Sequence, residues 1–144
     1  MRPKKRVLIL CTGNSCRSQM AEGWIRHDLG EAAEVHSAGT HPSYVHPLAI
    51  LVMAEAGVDL SGHTSKSLSR YWGKEFDVVV TVCDAAREAC PVFLGAKVQL
   101  HESIPDPIVY VREGEEEALR KFREARDLIR ERVVPLVRSA IGSE

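Results

Sequence analysis

Arg6-Val7-Leu8-Ile9-Leu10-Cys11-Thr12-Gly13-Asn14-Ser15-Cys16-Arg17-Ser18-Gln19-Met20-Ala21 changes character twice. Arg6–Leu10 is a basic residue followed by an unbroken apolar run, the pattern of a strand buried on both faces of a parallel sheet. Cys11–Ser15 is small and polar, a loop. From Ser18 onward Met20, Ala21, Trp24, Ile25 and Leu29 recur at helical spacing, and Gly30 supplies the stop. Strand, short loop and helix in this order are the opening half of a strand–helix–strand unit.

The rest of the chain repeats the alternation. Ala33–Ala38, ending in Gly39, reads as a second strand. His46–Ala56 reads as a helix entered through Pro47 and closed by Gly57. Lys66–Trp72 has room for one or two helical turns. Phe76–Val82 is the clearest strand and Lys97–Leu100 a fourth. A last helix runs from about Glu115 to Arg132 or beyond, with Ala118, Phe122, Ala125, Ile129 and Val133 as its apolar stripe. Glu116–Arg120, Glu117–Lys121 and Arg123–Asp127 have the spacing of ion pairs along its outer face. This order predicts an α/β fold: a single three-layer domain over residues 1–144, built on a four-stranded parallel sheet with right-handed crossovers and flanking helices. Ligands bind such sheets beyond the carboxyl ends of the strands. Cys11 and Cys83 each follow a strand, so both are expected at that edge.

Composition narrows the function. Nineteen basic against twenty acidic residues leave a formal charge of −1, which argues against a nucleic-acid binder that works by neutralising phosphates. Apolar runs reach about five residues, far short of a membrane span. The basic start is followed by too short an apolar run for a signal peptide, so a cytoplasmic protein with reduced thiols and no membrane partner is expected. The four cysteines, Cys11, Cys16, Cys83 and Cys90, fall at C-x4-C and C-x6-C, not at zinc-knuckle spacing, and no H-x3–5-H accompanies them. No metal and no cofactor are expected. Redox or nucleophilic chemistry, or inert buried thiols, remain.

The loop favours the nucleophile. Its frame is C-x5-R followed by serine. A short loop turning into a helix N-terminus gathers the backbone N–H groups of Thr12, Gly13, Asn14, Ser15, Cys16 and Arg17 into an anion nest. Gly13 accepts a positive φ freely, and Asn14 tolerates one. Arg17 adds a fork of donors suited to a tetrahedral oxyanion. A thiol at the centre of such a field favours its thiolate, and Ser18 can hydrogen-bond to the sulfur. Cys11 therefore reads as a nucleophile facing a phosphate-like anion.

Cys11–Trp24, CTGNSCRSQMAEGW, resembles the low-molecular-weight tyrosine phosphatase superfamily, and within it the thioredoxin-coupled arsenate reductases. The likeness runs from about Arg6 to Val133. Ser37-Ala38-Gly39, His63-Thr64-Ser65, Val80-Thr81-Val82-Cys83 with Cys90-Pro91, and Asp106-Pro107 carry it further. The resemblance implies a phosphatase-like fold, Asp106 as proton donor to the leaving group, arsenate as substrate with phosphate or sulfate as analogue, thioredoxin as partner, and a monomer.

The two branches of the resemblance share the oxyanion loop and the Asp-Pro pair, and Cys16 occurs in both. Cys83 and Cys90 separate them, because reducing arsenate takes two electrons from thiols and hydrolysing a phosphate ester takes none. The reductase reading implies attack by Cys11 on arsenate, a Cys11–Cys83 disulfide, and its transfer to Cys83–Cys90 through a redox helix at Asp84–Ala89. Ile108, Val109 and Tyr110 follow Asp-Pro where the phosphatases usually place tyrosines, and His41-Pro42-Ser43 is equally poor in aromatic residues. The alternative is a tyrosine phosphatase using Cys11, Arg17 and Asp106. Two positions depart from the reductase pattern. Ser103-Ile104-Pro105 replaces a Trp-Gly-Phe-Asp segment. Lys66 stands where potassium-binding members carry an acidic residue beside the equivalents of Asn14, Glu22 and Ser37, which implies independence of potassium.

Overall fold

The computed structural model describes residues 3–89 and 92–142. Four strands, β1 (Lys5–Cys11), β2 (Ala33–Gly39), β3 (Phe76–Thr81) and β4 (Ala96–His101), pair in parallel in the order β2-β1-β3-β4. The helices are α1 (Arg17–Leu29), α2 (Pro47–Glu55), α3 (Asp84–Ala89) and α4 (Glu115–Gly142), with 3-10 turns at Gly30–Ala32, Leu68–Arg70 and Pro107–Glu113. β1 is internal, which is why its apolar run does not alternate: Val7, Leu8, Ile9 and Leu10 are all fully buried.

Successive residues of β1 serve opposite faces. Val7 and Ile9 join Met20, Trp24 and Ile25 of α1, Val52 and Met53 of α2, and Phe122, Ile129 and Val133 of α4. Leu8 and Leu10 meet Tyr71, Phe76, Val79 and Phe93. The first face is covered by long helices. The second is covered by the Leu68–Arg70 turn and an aromatic cluster, where Phe76 lies edge-on to both Tyr71 and Phe93. Gly30 ends α1 at φ 47°, as its sequence position predicts.

α4 is longer than its apolar stripe suggests. It continues through Pro135 because Val134, Val137 and Ile141 extend the buried face, and tertiary packing offsets the hydrogen bond that proline cannot donate. The expected ion pairs along it do not form as read. Arg120 pairs with Glu117 and Glu124, Lys121 with Glu124, and Arg123 and Arg126 both reach Glu55 of α2. Glu55 on the neighbouring helix takes Arg123 from Asp127, while Glu117 and Glu124 on α4 itself take Arg120 from Glu116. Among the described residues no helix is long and apolar enough to cross a membrane.

Candidate active site

β1 ends at Cys11 and α1 begins at Arg17, so the intervening loop crosses the carboxyl edge of the sheet between its two central strands. The cap residue of α1, Cys16, supplies no side-chain acceptor to the first turn, which leaves that turn's N–H groups to a ligand. A cavity of about 180 Å³ opens there, lined by Cys11, Thr12, Gly13, Ser15, Cys16, Arg17, Ser43, Asp106 and Ile108. The structure thus brings Asp106 to the loop from 89 positions down the chain. Ser43 and Ile108 are lining residues that sequence reading did not assign.

The Cys11 sulfur accepts the backbone N–H of Asn14 at 3.2 Å and lies 2.8 Å from the Ser18 hydroxyl. Positive φ falls on Asn14, at 48°, and not on Gly13. The Asn14 side chain holds that strained backbone from beneath. Its Nδ2 donates to Ser18 at 2.8 Å and to Ser37 at 2.9 Å, while its Oδ1 accepts from Gln19 Nε2 at 2.9 Å and from the Lys66 backbone N–H at 2.8 Å. Asn14, Ser18, Gln19 and Ser37 are all fully buried, so the bonds among them are screened from water. At Gly13 neither φ nor space demands glycine, since a Cβ there would make an ordinary contact of 3.4 Å with the Ser43 hydroxyl.

Arg17 reaches across the cavity. Its Nη1 donates to the Ile104 carbonyl at 3.0 Å and its Nη2 pairs with Asp106 Oδ2 at 3.3 Å. Asp106 caps the following 3-10 turn by accepting the Ile108 N–H at 3.1 Å, which leaves its other oxygen toward Arg17. The guanidinium carries further donors that can fork onto an anion. Burial pushes the Cys16 thiol up to about 12, so at neutral pH it is a protonated packing group.

Cys83 follows β3 and is buried. Its sulfur lies 3.4 Å from the Thr12 hydroxyl, on the rim of the same loop, and accepts the Ala86 N–H at 3.4 Å. The expectation that Cys11 and Cys83 share one sheet edge is met. α3 starts one residue later and is tethered by Asp84 to His101 Nε2 at 2.9 Å, but only Ala86 of its six residues is buried. Cys90 lies outside the described residues. Among the described residues no group of three His, Cys, Asp or Glu side chains is placed to hold a metal ion.

Behind the loop, Ser37 donates to Glu22 at 2.6 Å, and Glu22 pairs with Arg26 at 3.0 Å. The Lys66 ammonium donates to the Thr64 carbonyl at 2.7 Å and stands 3.9 Å from Glu22. Burial lowers the affinity of Lys66 for its proton, and Glu22 opposes that effect.

Residues 6–144 match the family model for low molecular weight phosphotyrosine protein phosphatases. The chain is 42% identical over 131 residues to the arsenate reductase of Halalkalibacterium halodurans, an alignment covering 90% of this chain and 93% of that one. Its fold is similar to an arsenate reductase solved in a phosphate-binding state, with a TM-score of 0.79 and 34% identity over 94% of this chain and 98% of the other. It is also similar to a thioredoxin-dependent arsenate reductase of Corynebacterium glutamicum, with a TM-score of 0.69 and 30% identity over 99% of this chain and 64% of that one.

Proposed function

The chain belongs to the low molecular weight phosphotyrosine protein phosphatase family, and within that family we propose that it reduces arsenate to arsenite at the expense of thioredoxin. The observation that carries this reading is the buried Cys83 thiol at the rim of the oxyanion loop, 3.4 Å from Thr12. Ester hydrolysis has no use for a second thiol at that place; a two-electron reduction does.

Arsenate occupies the cavity on the loop N–H groups and the Arg17 fork. The Cys11 thiolate attacks arsenic, and Asp106 delivers a proton to the departing hydroxide, which leaves as water. Cys83 then attacks the Cys11 sulfur as a thiolate, having lost its proton. The S–As bond breaks, its electron pair stays on arsenic, and arsenite leaves as a Cys11–Cys83 disulfide forms. Cys90 attacks Cys83 in turn, releasing the Cys11 thiolate and leaving Cys83–Cys90 for the thioredoxin dithiol to reduce. Two thiols lose the two electrons that arsenic gains. A helix with one buried side chain unwinds at little cost, which suits α3 to carrying Cys90 toward Cys83. The Lys66 ammonium takes the place of a bound cation beside Glu22, so turnover is independent of potassium. The chain works as a single-domain monomer in the cytoplasm.

The 180 Å³ cavity fits a tetrahedral oxyanion and, among the described residues, none that lines it is aromatic, which disfavours the phosphatase alternative. Single-turnover arsenite release tests the relay. Cys90→Ser releases about one arsenite per chain and stops as a Cys11–Cys83 disulfide, seen by peptide mapping, and Cys83→Ser stalls before release. Repeated turnover of Cys90→Ser with thioredoxin as sole reductant contradicts the scheme.

A further inference from the structure

The peptide joining Gly13 to Asn14 decides what the Cys11 sulfur faces. In a trans peptide the carbonyl and the N–H point in opposite directions. Here the Asn14 N–H points at the sulfur and the Gly13 carbonyl points away from the cavity floor. A flip about this bond would turn a carbonyl dipole toward the thiolate and the bound anion. It would also release Asn14 from φ 48°, a conformation that costs a non-glycine residue on the order of 1–2 kcal/mol. Something outside the loop must hold the peptide against that release.

Three donors converge on the Gly13 carbonyl. The Ser65 hydroxyl donates at 2.9 Å, the Ser43 backbone N–H at 3.1 Å and the Ser43 hydroxyl at 3.5 Å. The Ser43 N–H also donates to the Ser65 oxygen at 3.0 Å. That second contact fixes the polarity of the triangle: with its lone pair engaged by Ser43, the Ser65 hydroxyl hydrogen is directed onto the carbonyl. Ser43 follows β2 and Ser65 follows α2, so two segments distant in the chain clamp one peptide of the loop.

We infer that Ser65, supported by Ser43, is a positioning residue that holds the Gly13–Asn14 peptide with its N–H on the Cys11 sulfur. Ser65 touches neither sulfur nor substrate and acts only through the carbonyl. The inference rests on Cys11 as nucleophile and on the loop as anion site, and is independent of how the enzyme is re-reduced.

The test uses two readouts that need no turnover. Alkylation of Cys11 by iodoacetamide at pH 7, followed by peptide mass mapping, reports the sulfur; titration with inorganic phosphate reports the nest. Ser65→Ala slows the first and weakens the second by about tenfold each, the scale expected when the released peptide takes the Asn14 N–H away from the charged sulfur and anion. Ser43→Ala keeps its N–H and loses only the 3.5 Å contact, so its effects are smaller. Ser65→Thr retains the hydroxyl and restores both to within about twofold of the parent. Ser65→Ala with parental alkylation and phosphate affinity overturns the inference, whatever its melting temperature. So does a Ser65→Thr variant that folds but stays as impaired as Ser65→Ala. Failure of arsenate turnover with both loop readouts intact counts against the proposed reductase and leaves the clamp standing.

Discussion

Replacing Gly39 with alanine tests whether the loop depends on the strand beneath it. Gly39 ends β2 and pairs with Cys11, and the loop lies directly over it. A Cβ at this position would stand 2.3 Å from the Thr12 carbonyl oxygen and 2.8 Å from the Asn14 nitrogen. Both are backbone atoms, so no side-chain rotation relieves the contact. Restoring ordinary packing moves Thr12 by about 1 Å, and Thr12 is held in place by the His41 N–H at 2.8 Å. A displacement of that size at a reacting centre costs about 10²-fold in kcat/KM. Overpacking strain of about 1–3 kcal/mol lowers Tm by several degrees in a chain of this size. The assay is arsenate reduction coupled to thioredoxin, thioredoxin reductase and NADPH, with phosphate titration and thermal unfolding alongside. Gly62→Ala is the control, because nothing lies within 4 Å of its added methyl. If Gly39→Ala keeps kcat/KM within about threefold of the control, the loop does not need the approach that the geometry describes.

Asp106→Asn preserves shape and the cap on Ile108 but cannot deliver the proton, so kcat falls about 10²–10⁴-fold in steady-state assays while thermal stability changes little. An unchanged kcat removes Asp106 from the chemical step. Cys16→Ser retains turnover to within a few-fold, since a thiol held protonated by burial takes no part in the proposed relay; loss of reduction in a folded variant contradicts that. Burial lowers the proton affinity of His46 and His63 below the ordinary 6.5, with Glu22 partly opposing it at His63. The unfolded chain therefore binds more protons than the folded one just below pH 6.5, and stability falls as pH drops from about 7 to 5.5. His46→Asn, which keeps a cap for α2, flattens the Tm–pH slope over that window. A parental Tm that is level or rises on acidification refutes the assignment.

The parts of the molecule legible in the sequence are those whose cause is local. The apolar run of β1, the spacing along α1 and the stop at Gly30 each act within a few residues, and Cys11, Arg17 and Ser18 share one short frame. Asp106 was legible only through the Asp-Pro resemblance, because its return to the loop depends on the sheet order. Ser65 was legible only as part of the His-Thr-Ser resemblance, and Ser43 and Ile108 only as positions without an aromatic ring, none of them with a role at the loop: a serine hydroxyl aimed at a backbone carbonyl looks, in sequence, like any polar loop residue. The ion pairs of α4 differ from their local spacing because Glu55 competes for Arg123 from another helix and because Glu124, on α4 itself, draws Arg120 and Lys121. The far end of α4 was obscured by Pro135, whose local cost is outweighed by packing visible only in three dimensions.

The placement of β3 beside β1 has an evolutionary meaning. Neighbouring strands run about 4.8 Å apart and advance about 3.3 Å per residue, so residues one step out of register stand about 6 Å apart. That is the usual Cα separation across a disulfide. Leu10 faces Thr81, β1 ends at Cys11, and Cys83 follows β3 with its sulfur 3.4 Å from the Thr12 hydroxyl. The ends of these two neighbouring strands thus stand within the span that the proposed sulfur–sulfur bridge needs. A scaffold that cradles phosphate at the end of one strand needs only a cysteine past the end of the next to gain a redox partner, and two chemistries become near neighbours in sequence space.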